Sequence, residues 1–475
     1  MDKTIKESGQ VFTPANIVNH ILNLCGYIPT NHILKRHVID NSCGNGAILC
    51  EIVKRYCECF FNDSNDIQVL KTELETYVHG IDNDGDAIKE CVNNLNNIVL
   101  GFGLNNIEWD IFQGDSLVID KFDGQMDYVI GNPPYVRIHN LTDSYEIVKS
   151  YEFTQNGMAD LYITFFEIGI NMLNENGKLC YITPSSWTTS KAALKMREWL
   201  QANNILSAIV DMEHFNVFDN FSVYTMITLL DRNHKTKQFD YYTYDSETDA
   251  ISKKYELNID RVSINNEFYF SSNETLELLE NVNFIGENRQ VFVKNGLATL
   301  LDKVFISDDL PFNEYTTKVL KASTGVWYKC FFPYDEHGNP ISPIIIREND
   351  NIMNYLEKHK DALTKRKSDK NILDWFYYGR SQGIKDVCRK RLGINTIIKD
   401  IDSLKLNIVP EGCCVYSGLY LYSDTVDIDT MIRIIKTNEF IDYVKSLKKY
   451  KSGGFYTFSS KDLEKYVNYI ITKEK

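Results

Sequence analysis

The chain has 475 residues, 43% hydrophobic and 24% charged, globular values in a length too great for one core, so two or three domains are expected. It has no low-complexity tract, no repeat of fixed period and no apolar run of membrane-span length. The start, MDKTIKESGQ, lacks a signal-peptide core, so a cytoplasmic protein with no membrane partner is expected. The 11 cysteines form no CxxC pair and no zinc-spaced Cys/His run, which excludes a disulfide scaffold and predicts no metal; the net charge of −14 argues against nucleic acid for the chain as a whole.

In chain order, strand-like and helix-like segments alternate through the first half. A strand at 37–40 ends in NSCGNG and a helix follows over 47–60. The next strand is 77–81, with a helix over 85–100 and strands at 107–112 and 127–130. An amphipathic helix spans 160–173 and is broken by Asn176-Gly177. A strand at 178–183, a helix over 191–203 and strands at 205–212 and 224–230 complete the series. Such alternation predicts a doubly wound, largely parallel α/β sheet.

The pattern changes near residue 235. Beyond about 285 the elements are shorter and aromatic-rich, as in GVWYKCFFPY, WFYYGRSQG and CVYSGLYLYS. We expect domains over 1–240 and 286–475, the second of mixed α+β type, joined by a connecting region at 241–285. Residues 358–391 hold eleven Lys and Arg against four Asp, a local +7 that leaves the other residues at −21. That asymmetry points to an anionic partner for one region, or to a solvated helix face.

Four strand ends carry candidate chemistry. The first βα turn is Asp40-Asn41-Ser42-Cys43-Gly44-Asn45-Gly46, where glycines allow close backbone approach to a ligand; the third glycine of a dinucleotide fingerprint and a GxxxxGK[ST] loop are both absent. The second strand ends in Asp82-Asn83, an acid suited to ribose hydroxyls, although Gly46 precedes it by more than the usual spacing. The third ends in Asp115-Ser116, able to accept from an exocyclic amine. Each acid by itself is as well read as a turn or cap residue. The fourth ends in Gly131-Asn132-Pro133-Pro134-Tyr135. Asn132 and Pro133 offer two carbonyls, the prolines fix φ, and Tyr135 offers a flat face: a grip for a planar amine, or a rigid turn.

The order of these motifs resembles class I S-adenosylmethionine-dependent methyltransferases, and among them the gamma-class, TaqI-like DNA adenine-N6 methyltransferases. Val11 and Thr13 of GQVFTP match the motif that precedes the glycine turn, and Asn132-Pro133-Pro134-Tyr135 matches the catalytic motif. The resemblance spans residues 9–230. It implies a Rossmann-like catalytic domain followed by a target-recognition domain. S-adenosylmethionine would be held by Val11, Thr13, Asp40, Ser42, Gly44, Gly46, Asp82, Asn83, Asp115, Ser116 and Asn132. The substrate would be a flipped adenine in double-stranded DNA, stacked on Tyr135 with Phe218, Asp160 and Tyr162 around it. A prokaryotic cell, or its phage or plasmid, is the implied setting. The protein would act as a monomer, with a separate restriction endonuclease as a candidate partner.

In the basic stretch, Lys365, Arg366, Lys367 and Lys370 are expected at phosphates, and Arg380 and Gln382 at base edges. Trp375 and Tyr377 read as core or as stacking groups. A protein-glutamine or RNA methyltransferase using the same NPPY chemistry is the alternative, and a catalytically idle DNA-binding subunit a third reading.

Overall fold

The structure is a computed structural model that describes residues 13–138, 144–155, 157, 160–218, 223–283 and 289–474. The chain divides into two compact units, Met1–Leu276 and Glu277–Lys475.

The first unit opens with α1 (Ala15–Leu24), β1 (Val38–Asp40), α2 (Ala47–Asp63), α3 (Ile67–Tyr77), β2 (Val78–Asp82), α4 (Gly85–Leu100), β3 (Asp110–Gln113) and β4 (Met126–Gly131). It continues with α5 (Tyr145–Ser150), α6 (Leu161–Met172), β5 (Leu173–Pro184), α7 (Leu194–Asn203), β6 (Leu206–Asp211), β7 (Thr225–Asp231), β8 (Gln238–Asp245) and β9 (Ala250–Asn258). The strands form one sheet in the order β3-β2-β1-β4-β5-β7-β6-β8-β9. Strands β1 to β5 pair in parallel, as expected. β7 lies antiparallel between β5 and β6, and β9 returns antiparallel on β8 through a turn too short for a crossover. The stretch expected to connect two domains from 241 onward is therefore partly sheet. β8 buries Phe239, Tyr241 and Tyr244, while β9, at the edge of the sheet, is exposed over most of its length.

The helices form where local chemistry favours them. Asp84 caps α4 by accepting from the backbone N–H groups of Asp86 and Ala87, and Ile88, Cys91, Leu95 and Val99 form its buried stripe. The polar insertion between β1 and β2 contains α3, whose cap Asp66 accepts from Gln68 and Val69. That helix accounts for the long spacing from Gly46 to Asp82. One face of the sheet, with Val38, Val78, Ile130, Cys180 and Val210, packs under α1, α2 and α4. On the other face α6 lies so close to β5 that a Cβ on Gly169 would come within 2.5 Å of Leu179 and Tyr181.

Two short strands, β10 (Ser263–Ile264) and β11 (Glu267–Phe268), form a hairpin, and α8 (Asn273–Asn283) follows. The second unit then builds three small sheets. A four-stranded sheet runs β12 (Phe292–Asn295), β19 (Leu419–Tyr422), β15 (Arg391–Ile394), β17 (Leu406–Val409). Three-stranded sheets are made by β14 (Val326–Phe331), β13 (Thr316–Lys321) and β18 (Cys414–Tyr416), and by β16 (Ile397–Ile398), β21 (Phe455–Thr457) and β20 (Tyr450–Lys451). Among the described residues seven α-helices complete it, α9 (Asp302–Phe305), α10 (Pro343–Arg347), α11 (Asp350–Glu357), α12 (Lys360–Thr364), α13 (Ile428–Ile435), α14 (Asn438–Ser446) and α15 (Ser460–Lys473). The aromatic runs noted in the sequence fill its core: Phe305, Phe331, Phe376, Tyr377 and Tyr378 pack together.

Candidate active site

Strand order reverses direction between β1 and β4: β2 and β3 extend the sheet to one side, β5 to the other. A crevice opens at the carboxyl ends of strands at such a point. Here it is a cavity of about 250 Å³ lined by the ends of β1, β2, β3 and β4, among them Asp40, Gly44, Asp82, Asp115, Asn132 and Pro133. Residues the sequence places up to 93 positions apart are thus neighbours because parallel strands deliver their ends to one edge.

The cavity walls are tied to each other. The Asp82 carboxylate accepts from Gly44 N–H at 2.8 Å and from Asp84 N–H at 2.9 Å, which leaves acceptor capacity for a ligand hydroxyl. Gly46 caps α2 at φ +86, and a Cβ there would meet Cys91 Sγ at 2.6 Å, so only glycine fits. Ser42 Oγ donates to the Asn132 carbonyl at 3.3 Å, and Ser116 Oγ to the Asn41 carbonyl at 2.6 Å. Tyr181 donates to Asn41 Oδ1 at 2.9 Å. Ser116 is therefore a brace between two strand ends, and Asp115 accepts from Leu117 N–H at 3.0 Å while remaining exposed in the cavity wall.

Asp40 is 2% exposed. Burial pushes its carboxyl up to about 7, against the Ser42 N–H bond that favours the charge and with nearby Asp82 adding to the rise. Asn132 donates its amide N–H to Thr13 Oγ1 at 3.2 Å, which fixes the rotation of the amide. Val11 lies outside the described residues. Asn83 lines the cavity, and its carbonyl accepts from Gln113.

Tyr135 stands beside the cavity. Its hydroxyl donates to the Ile182 carbonyl at 3.1 Å, and its ring meets Tyr162 and Phe218 edge-on at 6.3 and 5.9 Å. Tyr162 and Phe218, expected at a base, are instead core residues, 0% and 3% exposed. Their rings back Tyr135, and Tyr162 shares a hydrogen bond with Ser186 Oγ. Asp160 does not line the cavity: it forms a β-bridge with Arg137, with Arg137 Nε 3.8 Å from its carboxylate. Leu161, Phe165, Ile48 and Leu117 do line it. They went unread in the sequence because an apolar pocket wall and an apolar core position have the same pattern there.

In the second unit Arg366 corrects its expected place at a phosphate. Its guanidinium donates to the carbonyls of Leu363, Thr299, Trp375 and Tyr377 at 2.5–2.9 Å and stacks over Phe305, so its donors are spent inside the fold. Arg380 pairs with Asp369 at 2.5 Å, half exposed, and the Gln382 amide donates to the Gly296 carbonyl. Lys365, Lys367 and Lys370 are exposed. Tyr377 is core, and Trp375 is half-buried under Lys360 Nζ.

Residues 48–218, which span the second, third and fourth strand ends, match the family described as Eco57I restriction-modification methylase. This stretch is Eco57I-methylase-like. Among curated relatives, the chain is 28% identical over 249 residues to the Type II methyltransferase M.BstVI of Geobacillus stearothermophilus, covering 49% of this chain and 43% of that one. It is 24% identical over 556 residues to the Type II restriction enzyme and methyltransferase RM.Eco57I of Escherichia coli, covering 92% and 54%. The chain spans about half the length of these relatives. A solved structure of the Type IIL restriction-modification enzyme MmeI in complex with DNA shares the fold, with a TM-score of 0.64 at 13% identity over 94% of this chain and 63% of that one. The methylase-like stretch thus ends on Phe218, while the likeness in fold extends through both units. Among the described residues no cluster of metal-ligating side chains occurs, and no helix is long and apolar enough to cross a membrane.

Proposed function

We propose that the protein is a site-specific DNA methyltransferase acting on the N6 amine of adenine with S-adenosylmethionine as methyl donor. The observation that carries this is the convergence of Asp82, Asp115 and Asn132-Pro133 on one cavity, in a stretch that is Eco57I-methylase-like. The chemistry of the donor set fits that cofactor: Asp82 accepts from ribose hydroxyls, Asp115 from the adenine amine, and Ile48, Leu117 and Phe165 supply apolar walls for the base. Gly44 has open space where a side chain would stand, so backbone there is accessible to a ligand. Bound S-adenosylmethionine supplies an already electrophilic sulfonium methyl.

The chain's own task is then to present an amine. The Asn132 side-chain carbonyl and the Pro133 carbonyl accept its two N–H bonds. That turns the lone pair outward and stabilises the positive charge that develops as the new bond forms. Thr13 and the two prolines keep both acceptors from relaxing away. Tyr135, backed by Tyr162 and Phe218, is the stacking platform for a base taken out of the duplex, worth about 1–3 kcal/mol. Lys365, Lys367, Lys370, Arg380 and Gln382 belong in this reading to DNA contact by the second unit, a target-recognition domain. A cognate nuclease would be a separate partner.

The test is transfer of a labelled methyl group to plasmid DNA, ribosomal RNA and bacterial protein, with nucleoside analysis of the product. Label in N6-methyladenine of the plasmid is expected. Label in protein or RNA alone would replace this reading with the glutamine or RNA alternative, and label on cytosine would retain DNA and remove adenine.

A further inference from the structure

One exposed feature of the second unit has no part in the site above. Between α12 and β15 the chain makes a loop pinned at its base. Arg366 holds it from inside through the carbonyls of Thr299, Trp375 and Tyr377, and Asp369 holds it again, donating its N–H to the Gly379 carbonyl and accepting from Arg380 and Ser381. The free part of the loop carries Lys370, Asn371 and Leu373, all exposed, and Leu373 shows 60% of its surface. Asp374 pairs with Arg347 of the adjacent helix α10, which exposes Ile344 and Ile345 at 67% and 46%. An exposed leucine is therefore carried by a loop tied at its base, three residues after Lys370 and on the same segment as the exposed Lys365 and Lys367.

Resting on the DNA reading, we propose that Leu373 is a wedge that enters the base stack of the duplex these lysines hold. Charge selects the occupant. Of the cations in this stretch Arg366 and Arg391 are turned into the fold, while Lys365, Lys367 and Lys370 are exposed before Leu373, complementary to a polyanion. A two-fold contact of this face with a second copy would set lysines against lysines. A protein partner would find lysine where interface cores are depleted of it. An exposed leucine on a braced loop that also carries exposed lysines is instead suited to unstack a base step while the backbone phosphates are neutralised nearby. The rigid mount matters because a slack loop would fold away from the stack it has to open.

The experiment compares the full-length protein with Leu373→Ala and Leu373→Phe on closed circular plasmid. Plasmid unwinding is read by topoisomerase relaxation, and methyl transfer as kcat and KM. The alanine variant, altered only at an exposed side chain, is expected to bind plasmid within about twofold of wild type. It should lose the unwinding and lower kcat roughly tenfold, with phenylalanine restoring both. Unwinding and kcat unchanged in Leu373→Ala would overturn the wedge and leave the methyltransferase reading standing. A wild-type dimer that Leu373→Ala converts to monomer would also overturn it, in favour of self-association. Wild type that neither binds nor methylates plasmid would overturn both.

Discussion

The strand-end site of the first unit and the basic stretch of the second were equally prominent in the sequence, and they fared differently. Asp40, Asp82, Asp115 and Asn132 all reach one cavity. Of the six residues expected at DNA, Arg366 is turned inward onto four carbonyls, while Lys365, Lys367 and Lys370 stay outside. The difference is topological. In a parallel sheet the residue after each strand is delivered to the same edge whatever its neighbours do. On a loop-rich surface the same arginine can serve a phosphate or staple a fold, and only the tertiary arrangement decides.

The sharpest test of this contrast is Asn132→Ala. Methyl transfer to plasmid should fall by at least about 10²-fold, the scale of losing one preorganised partner of the reacting group, while plasmid affinity in a gel-shift titration stays close to wild type. Equal loss of binding and transfer would remove Asn132 from the chemistry. For the second region, Arg366→Ala should lower the stability of its unit by about 3 kcal/mol, since several carbonyls lose a charged donor, measured as a shift in the urea midpoint. A stability unchanged within error, with weakened DNA binding, would restore the sequence expectation.

Asp40 gives a test by pH. Burial raises its folded pKa to about 7 from 3.8, so its contribution is full below about pH 4 and is lost as pH rises through 7. Asp40→Asn keeps the acceptor for Ser42 N–H without the charge. It should be more stable than wild type at pH 8 by an amount on the order of 4 kcal/mol, with the gap closing at pH 4; a gap independent of pH would contradict the burial argument. The smallest effect is expected of Lys365→Ala with Lys370→Ala. Stability should move by no more than about 0.5 kcal/mol, while the slope of log affinity against log salt becomes shallower by about 1–2.

What the sequence made legible follows the same division. Helix α4 was read with its observed ends because Asp84 caps it and its apolar stripe is regular. The reversal of β7 was not legible, since a strand carries no local mark of its direction. Part of β8 and all of β9 fall in the stretch expected to connect the domains, because their polar residues lack the apolar runs of the central strands. Phe218 and Tyr162 illustrate the limit for sites. An aromatic that stacks on a base and one that braces the stacking residue have the same identity and spacing, and only their burial tells them apart.

Five ties across the strand-end cavity, Thr13–Asn132, Ser42–Asn132, Gly44–Asp82, Asn41–Ser116 and Asn41–Tyr181, fall within residues 13–181. None of them draws on a residue beyond Leu276, where the second unit begins. If the cavity holds the methyl donor as proposed, substitutions on the loops of that unit change none of these five ties. Under the proposed function, a lineage could change the sequence it marks in single steps without passing through an inactive ancestor, and an engineer could graft loops of the second unit under the same freedom.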